Sequence, residues 1–362
     1  MKIQSTRYTN KKRKIKWIGI ALLSMLALYL IAIVVYAVWD DGRTFDTDGA
    51  TAESMQWMEN LPDEISLAKI SIPGTHDSAT KYTPFHYSFQ CQDTTISEQL
   101  LAGYRFLDVR FSVVVDDEGA ERLCLKHGIG HCRISGERGA EYMYLEDMTA
   151  SIRTFLNEHP SECVILLVDE ATDGDDECRI AELLDDWMRK EPELWFLENR
   201  IPTLGEVRGK IILATRYGDV AGYGQKRCGL DLRWQSQNSW SSPEEAVVLY
   251  ELNDSRDYFN VQNWFRITPD DKWIAVEEAL NGNYVDEHTL LLNYLTISRG
   301  YFLLPCPKDR AFDLNARLSD YSFESGHCYG IVIVDFGTRE LAEKIYRTNI
   351  TYISDGRSQN GL

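Results

Sequence analysis

From Leu67 onward, short runs of Val, Ile and Leu alternate with segments of helical spacing. The runs expected as strands are Leu67–Ile72, Phe106–Val115, Leu123–Lys126, Cys163–Val168, Lys210–Thr215, Ala246–Leu252, Leu290–Thr296 and Gly330–Asp335. They are short and rich in Val, Ile and Leu, as strands covered on both faces should be. Thr95-x-x-Glu98 reads as a capping box opening a helix over Ile96–Ala102. Met148, Ile152, Phe155 and Leu156 recur at helical spacing until His159-Pro160 stops the run, and Ile180, Leu183, Leu184, Trp187 and Met188 repeat the pattern. Repeated strand–helix alternation predicts one parallel α/β domain. A distorted (β/α) barrel of the TIM type fits the length better than an open sheet, and no G-x-G-x-x-G loop supports a Rossmann domain. There is no internal repeat and no low-complexity tract.

The N-terminal pattern is different. Trp17 to Val38 is a run of 22 residues without a charge, apolar apart from Ser24. At ~1.5 Å per residue it is long enough for the roughly 30 Å hydrocarbon core of a bilayer. Lys2, Arg7, Lys11, Lys12, Arg13, Lys14 and Lys16 precede it with no acidic residue among them, which keeps that end in the cytoplasm. The expected organisation is a basic cytoplasmic tail (1–16), a transmembrane signal anchor (17–38), a polar stalk (39–62) and a catalytic barrel outside the cell (63–362). A cleaved signal peptide is the alternative, since Val35-Tyr36-Ala37 resembles a small-residue cleavage site. The apolar run is longer than the usual signal core.

The formal net charge is -18, and removing the seven basic residues of the tail leaves -25 for the remainder. Such a body repels nucleic acid and has no general attraction to anionic lipid, so any membrane contact is local. All 8 cysteines follow the apolar run, which permits disulfides in an exported domain, but no C-x-x-C pair supports a zinc ribbon. Cys163, inside an apolar run, reads as a buried thiol. The acidic stretch Asp173–Glu177 lacks EF-hand spacing and reads as a solvated loop. Trp234 and Trp240 bracket a polar loop and suit either a lipid interface or ordinary packing.

The chemistry-bearing residues cluster at strand ends. His76-Asp77 follows the first apolar run. Asp108 and Arg110 lie two apart on one strand and share a face. His127 ends Leu123–Lys126, Arg216 ends Lys210–Thr215, and Asp335 ends Ile331–Val334. In a parallel barrel these ends form one rim, where active sites are built. Two histidines suit base and acid, an arginine suits a phosphate, and carboxylates beside the histidines can orient them. No metal or other cofactor is required.

Ser71-Ile72-Pro73-Gly74-Thr75-His76-Asp77-Ser78-Ala79-Thr80 resembles the signature of the bacterial phosphatidylinositol-specific phospholipase C family. The resemblance continues in Gly103–Arg110, Lys126-His127-Gly128, Gly209–Tyr217 and Tyr329–Phe336, in the family's order. It implies a distorted barrel, a membrane-borne inositol phospholipid as substrate, and cleavage to diacylglycerol and an inositol cyclic phosphate. It assigns His76 as the base on the inositol 2-hydroxyl, Asp335 as its orienting carboxylate, and Arg110 as the phosphate clamp. His127, helped by Asp77, is the acid on the leaving oxygen. On the substrate-binding side it points to Asp108 and Arg216. Three positions depart from the family pattern: Asp169 replaces a lysine, and Asn263 and Phe265 replace an Asp and a Tyr that grip and stack on inositol. The head group therefore stays open, as does a catalytically idle binding barrel. A metal-dependent glycerophosphodiesterase is disfavoured by Arg110, which stands where a metal ligand would be needed.

Overall fold

The computed structural model describes residues 2–38, 49–170, 177–217, 228–238, 240, 242–252, 255–298 and 307–349. The acidic stretch Asp173–Asp176 and Cys306 lie outside them. Twelve strands form one sheet: β1 Ile72–Thr75, β2 Phe106–Val115, β3 Glu121–His127, β4 Gly130–His131, β5 Val164–Glu170, β6 Trp195–Phe196, β7 Ile211–Thr215, β8 Leu230–Asp231, β9 Val248–Glu251, β10 Tyr258–Gln262, β11 Thr289–Leu295 and β12 Ile331–Val334. The main path runs β6-β7-β5-β2-β1-β12-β11-β10-β9, with β8 beside β7. Phe106, Ile165, Ile212, Val261, Leu292 and Ile333, from strands spread across this path, meet in one buried cluster. Tyr294 on β11 reaches Asp108 on β2 at 3.2 Å, and its ring lies 5.9 Å from that of Trp234 just after β8, contacts a flat sheet could not make; the sheet curls into a barrel, open between β8 and β9.

Alternation along the strands explains the apolar runs. On β5, Ile165 and Leu167 join the inner cluster, while Val164, Leu166 and Val168 join a second one. That second cluster lies under the helices Leu145–Glu158 and Glu177–Met188, which supply Met148, Ile152, Ile180 and Leu184. Both faces are covered, so neither can be polar. The capping box at Thr95 and Glu98 forms as expected and opens Ile96–Ala102.

Several expectations need correction. Leu67–Lys69 is a short 3₁₀ turn, and strand pairing starts only at Ile72. The turn is fixed by Leu67 N donating to Pro202 O at 2.9 Å and Lys69 N donating to Ser66 O at 2.8 Å, and it buries Leu67 without extending it. β3 and β9 run antiparallel to β2 and β10, so neither is a parallel barrel strand. β10 itself, Tyr258–Gln262, was not expected.

The expected stalk is only partly outside the body. Residues 39–48 lie outside the described residues, but Trp57, Met58 and Leu61 are buried. Trp57 stacks on Tyr346 at 5.5 Å and donates from Nε1 to Gly103 O at 2.9 Å. Arg105, fully buried, pairs with Glu162 at 2.9 Å and donates to the carbonyls of Ser54 and Met55. The globular body thus begins near residue 51.

The N-terminal helix runs Lys2–Val38 and includes the whole apolar stretch. Among the described residues no helix is long and apolar enough to cross a membrane. Cys91, Cys124, Cys132, Cys163 and Cys328 carry free thiols, and Cys163 is buried as expected.

Candidate active site

His76 is the first residue after β1 and Asp335 the first after β12, and the two strands pair in parallel with Thr75 opposite Val334. That register sets the two side chains together, with His76 Nδ1 2.8 Å from Asp335 Oδ1. Gln92 ties the same strand ends, donating to the carbonyls of His76 and Val334 at 2.9 and 3.0 Å. Gly74 permits the close approach of β1 and β2: a Cβ there would lie 3.0 Å from Phe106 Cβ.

Asp77 is the hub. Its backbone is left-handed, with φ 42°, a conformation that costs a non-glycine residue on the order of 1–3 kcal/mol. Aspartate adopts it more readily than most residues. Ser78 N donating to Asp108 O at 2.8 Å holds the turn and drops the carboxylate into the floor of the mouth, where Asp77 is buried. Its Oδ1 lies 3.2 Å from Arg110 Nε, and its Oδ2 lies 3.2 Å from both His76 Nε2 and His127 Nε2. Arg110 Nη2 also reaches within 3.4 Å of His76 Nε2.

Arg110 lies on β2 as expected, but His127 arrives by an unexpected route. β2 overruns the barrel, and β3 folds back along it, so His127 returns to the mouth on an antiparallel arm. Phe89 O accepts a hydrogen bond from His127 Nδ1 at 2.8 Å, which fixes the tautomer and aims Nε2 at Asp77. The neighbouring His131 stacks instead on Tyr142 at 4.7 Å.

The shared carboxylate separates the two imidazoles. Burial disfavours charge on His76, but the carboxylates of Asp77 and Asp335 outweigh it and raise the pKa to about 9. For His127, burial, with Arg110 and His76 adding to it, overcomes Asp77 and lowers the pKa below the ordinary value. Burial pushes Asp77 upward, yet Arg110, His127 and His76 together hold it well below the ordinary carboxylate range. Burial raises Asp108 to about 6 despite His76 and Arg110.

The mouth opens into a cavity of 540 Å³ lined in part by His76, Arg110, His127, Asp169, Arg216, Asn263 and Phe265. Asp169 Oδ2 accepts from Arg216 Nη1 at 2.6 Å, and the Arg216 guanidinium lies 4.1 Å over the Trp234 ring. Trp234 therefore packs inside the barrel and is not a lipid-facing residue. Asp108 does not line the cavity; it lies beneath it, with Oδ2 accepting from Tyr294 OH at 3.2 Å. Sequence patterning overlooked Cys91, Gln92 and Tyr294, which sit on loops or on an apolar strand and carry no periodic signal. A larger hollow, 790 Å³, lies at the opposite end of the strands. There Arg200 is paired with Glu206 at 2.6 Å and the one lining histidine, His288, with Asp257 at 2.8 Å, whereas two imidazoles and a guanidinium converge at the other end, so the strand-end mouth is the better candidate for chemistry.

An open α/β barrel whose mouth joins two imidazoles, a guanidinium and carboxylates is an arrangement suited to acid–base chemistry on an anionic group. Residues 70–217 match the family model "Phosphatidylinositol-specific phospholipase C, X domain". Among curated proteins it is 26% identical over 308 residues to the 1-phosphatidylinositol phosphodiesterase of Listeria monocytogenes, covering 81% of this chain and 84% of that one. It is 24% identical over 329 residues to the enzyme of the same name from Staphylococcus aureus, covering 87% and 93%. Among solved structures, a variant of the Staphylococcus aureus phosphatidylinositol-specific phospholipase C superposes with a TM-score of 0.65 at 21% identity, covering 83% of this chain and 100% of that one. The Listeria monocytogenes enzyme gives 0.61 at 21% identity, covering 82% and 98%. These structural likenesses establish the shared barrel.

Proposed function

We propose that the chain is a phosphatidylinositol diacylglycerol-lyase. It cleaves an inositol phospholipid, or a glycosylated inositol lipid, to diacylglycerol and inositol 1,2-cyclic phosphate without a metal ion. The observation that carries the reading is the convergence of His76, Arg110 and His127 on Asp77 at 3.2 Å each, with Asp335 behind His76 at 2.8 Å. The names of its relatives support the substrate class. His76 takes the proton of the 2-hydroxyl, which then attacks phosphorus. Asp335 holds the imidazole in the working tautomer and stabilises its charged form. Arg110, still exposed enough to reach substrate, binds the phosphate oxygens. His127 gives its proton to the departing glycerol oxygen.

Arg216, Asn263 and Phe265 are proposed to hold the head group, with Asp169 orienting Arg216. Because Asp169 already engages Arg216, and Asn263 and Phe265 offer an amide and a flat ring, a modified inositol suits this wall as well as a plain one. Incubating the full chain with phosphatidylinositol and EDTA, and following cyclic phosphate by phosphorus NMR, tests the reading. No release, or release abolished by EDTA, removes it. Cleavage confined to another head group would support the second reading, a surface phosphodiesterase of different specificity.

The apolar run Trp17–Val38 of the N-terminal helix is proposed as a single-pass anchor, with the basic tail in the cytoplasm and the barrel outside the cell. Its described apolar side chains, Trp17, Leu23 and Leu28 among them, are exposed instead of packing on the barrel. Alkaline extraction of membranes from cells making a C-terminally tagged chain tests this. Release of a shortened protein into the medium would favour a secreted enzyme.

A further inference from the structure

Cys91 is buried in the wall of the active-site cavity, and the reaction proposed above gives it no task. Its Sγ lies 3.9 Å from Asp77 Oδ2 and 3.8 Å from His127 Nδ1, on the same face of the mouth. One ligand atom each from Asp77, Cys91 and His127 falls within 4.8 Å of the others. For a tetrahedral zinc with bonds of about 2.0–2.3 Å, neighbouring donor atoms stand roughly 3.3–3.8 Å apart. The Sγ···Oδ2 spacing and the 3.2 Å between Asp77 Oδ2 and His127 Nε2 are within a few tenths of an ångström of that range.

A second observation points the same way. His127 Nδ1 is committed to Phe89 O at 2.8 Å. That leaves Nε2 as the ring atom facing Asp77 Oδ2, 3.2 Å away. A cation seated between these two atoms would take one ligand from each. A backbone carbonyl holding the far ring nitrogen is also the usual support of a metal-bound histidine. Arg110 does not block the position, because it approaches the other carboxylate oxygen, Oδ1, at 3.2 Å.

We propose that Asp77, Cys91 and His127 form an inhibitory site for a borderline-soft divalent cation of the zinc type. Cys91 binds as the thiolate, its proton leaving to solvent as the metal–sulfur bond forms. Asp77 and His127 supply oxygen and nitrogen, and the fourth position opens to water or a phosphate oxygen in the cavity. A metal on His127 Nε2 occupies the lone pair that must carry the proton for the leaving group. Hard cations such as magnesium are excluded by the sulfur and nitrogen donors. The inhibition rests on the phosphodiesterase reading; the metal site does not.

Cobalt(II) titration of the full chain in detergent tests the site without any turnover. One equivalent should produce a near-ultraviolet sulfur-to-cobalt charge-transfer band that zinc abolishes and magnesium leaves intact. C91S should lose the band, and His127→Ala, which keeps the thiol, should bind cobalt about a hundredfold more weakly. Circular dichroism of both variants checks that they fold. In the turnover assay, equimolar zinc should silence the wild-type chain, and C91S, measured against its own metal-free rate, should need at least about tenfold more. Absence of a band, or an equal band in C91S, overturns the site. An intact band with no zinc effect on a working enzyme overturns the inhibition. A band in a chain that never cleaves phosphatidylinositol would sink the proposed substrate and leave the metal site standing.

Discussion

Replacing Asp335 by Asn removes one of the two carboxylates that hold a proton on His76 while keeping an acceptor for Nδ1. At about 4 Å and an effective dielectric near 20, a unit charge is worth roughly 4 kcal/mol. The His76–Asp335 pair is 2.8 Å apart and little exposed, with side chains at 15% and 3%. Asp77 remains in place, and solvent reaches the imidazole from the cavity, so we expect part of that figure: a fall of about 1–2 pKa units from the value near 9. The active form of the centre holds one proton across the two histidines, and the alkaline limb of the rate profile reports its loss. That limb should therefore move to lower pH by about 1–2 units in Asp335→Asn. Turnover should fall about 10²–10⁴-fold, because the tautomer and the developing imidazolium lose their support. The assay is cyclic phosphate release from phosphatidylinositol in detergent micelles with EDTA, run between about pH 5 and 10. If turnover falls and the alkaline limb stays in place, His76 is not the group that titrates there, and the electrostatic argument is wrong.

Four further outcomes are expected. His127→Ala should lower turnover on the lipid about 10²–10⁴-fold, but much less on an aryl phosphodiester whose leaving group needs no proton; equal losses on both would remove the acid role. Asp169→Asn frees the Arg216 guanidinium from its 2.6 Å partner, so KM for the head group should change several-fold with kcat held; a matching fall in kcat would place Asp169 in the chemistry. The raised pKa of His76 contributes stability that is fully present below about 6.5 and fades as pH rises through about 9. Asp335→Asn should accordingly lower the melting temperature more at about pH 6 than at about pH 10, and an equal loss at both would count against the linkage. Lys272 is buried, donating to Gln262 Oε1 at 2.9 Å and Trp264 O at 3.1 Å, so Lys272→Ala should destabilise by roughly 2–4 kcal/mol by denaturant unfolding.

The sequence made the strand ends legible because two independent signals coincide there. An apolar run marks burial, and a charged residue directly after it marks a rim. Asp335 and Arg216 stand out this way, and their strands lie where the runs stand; the run before His76 is mostly a 3₁₀ turn, and the strand that carries His76, Ile72–Thr75, begins only where that run ends. Direction was not legible. The apolar run of β3 looks the same whether it runs parallel inside the barrel or antiparallel to β2, and only long-range pairing distinguishes the two. The same blindness hid Gln92 and Tyr294, whose partners, Val334 and Asp108, are distant in sequence. The stalk was misjudged because 51–62 is polar on average. Its few apolar residues, Trp57, Met58 and Leu61, are the ones buried.

One carboxylate between two imidazoles has a mechanistic consequence. In the resting mouth the proton belongs to His76, whose pKa is raised to about 9, and His127 is the neutral partner. The proposed reaction needs the reverse: a neutral base at His76 and a charged acid at His127. Arg110 is one of the groups that keep His127 neutral. A phosphodiester anion seated on Arg110 cancels that repulsion, so the substrate itself favours moving the proton to His127. Asp77 Oδ2, 3.2 Å from each Nε2, is placed to follow the charge from one ring to the other. The number of protons in the centre does not change in this exchange. The pH range of activity therefore belongs to the pair and not to either histidine. A substrate analogue lacking the anionic phosphate should leave the proton on His76, so the His127 ring should shift in the NMR spectrum on binding a phosphodiester analogue and stay unchanged with myo-inositol alone.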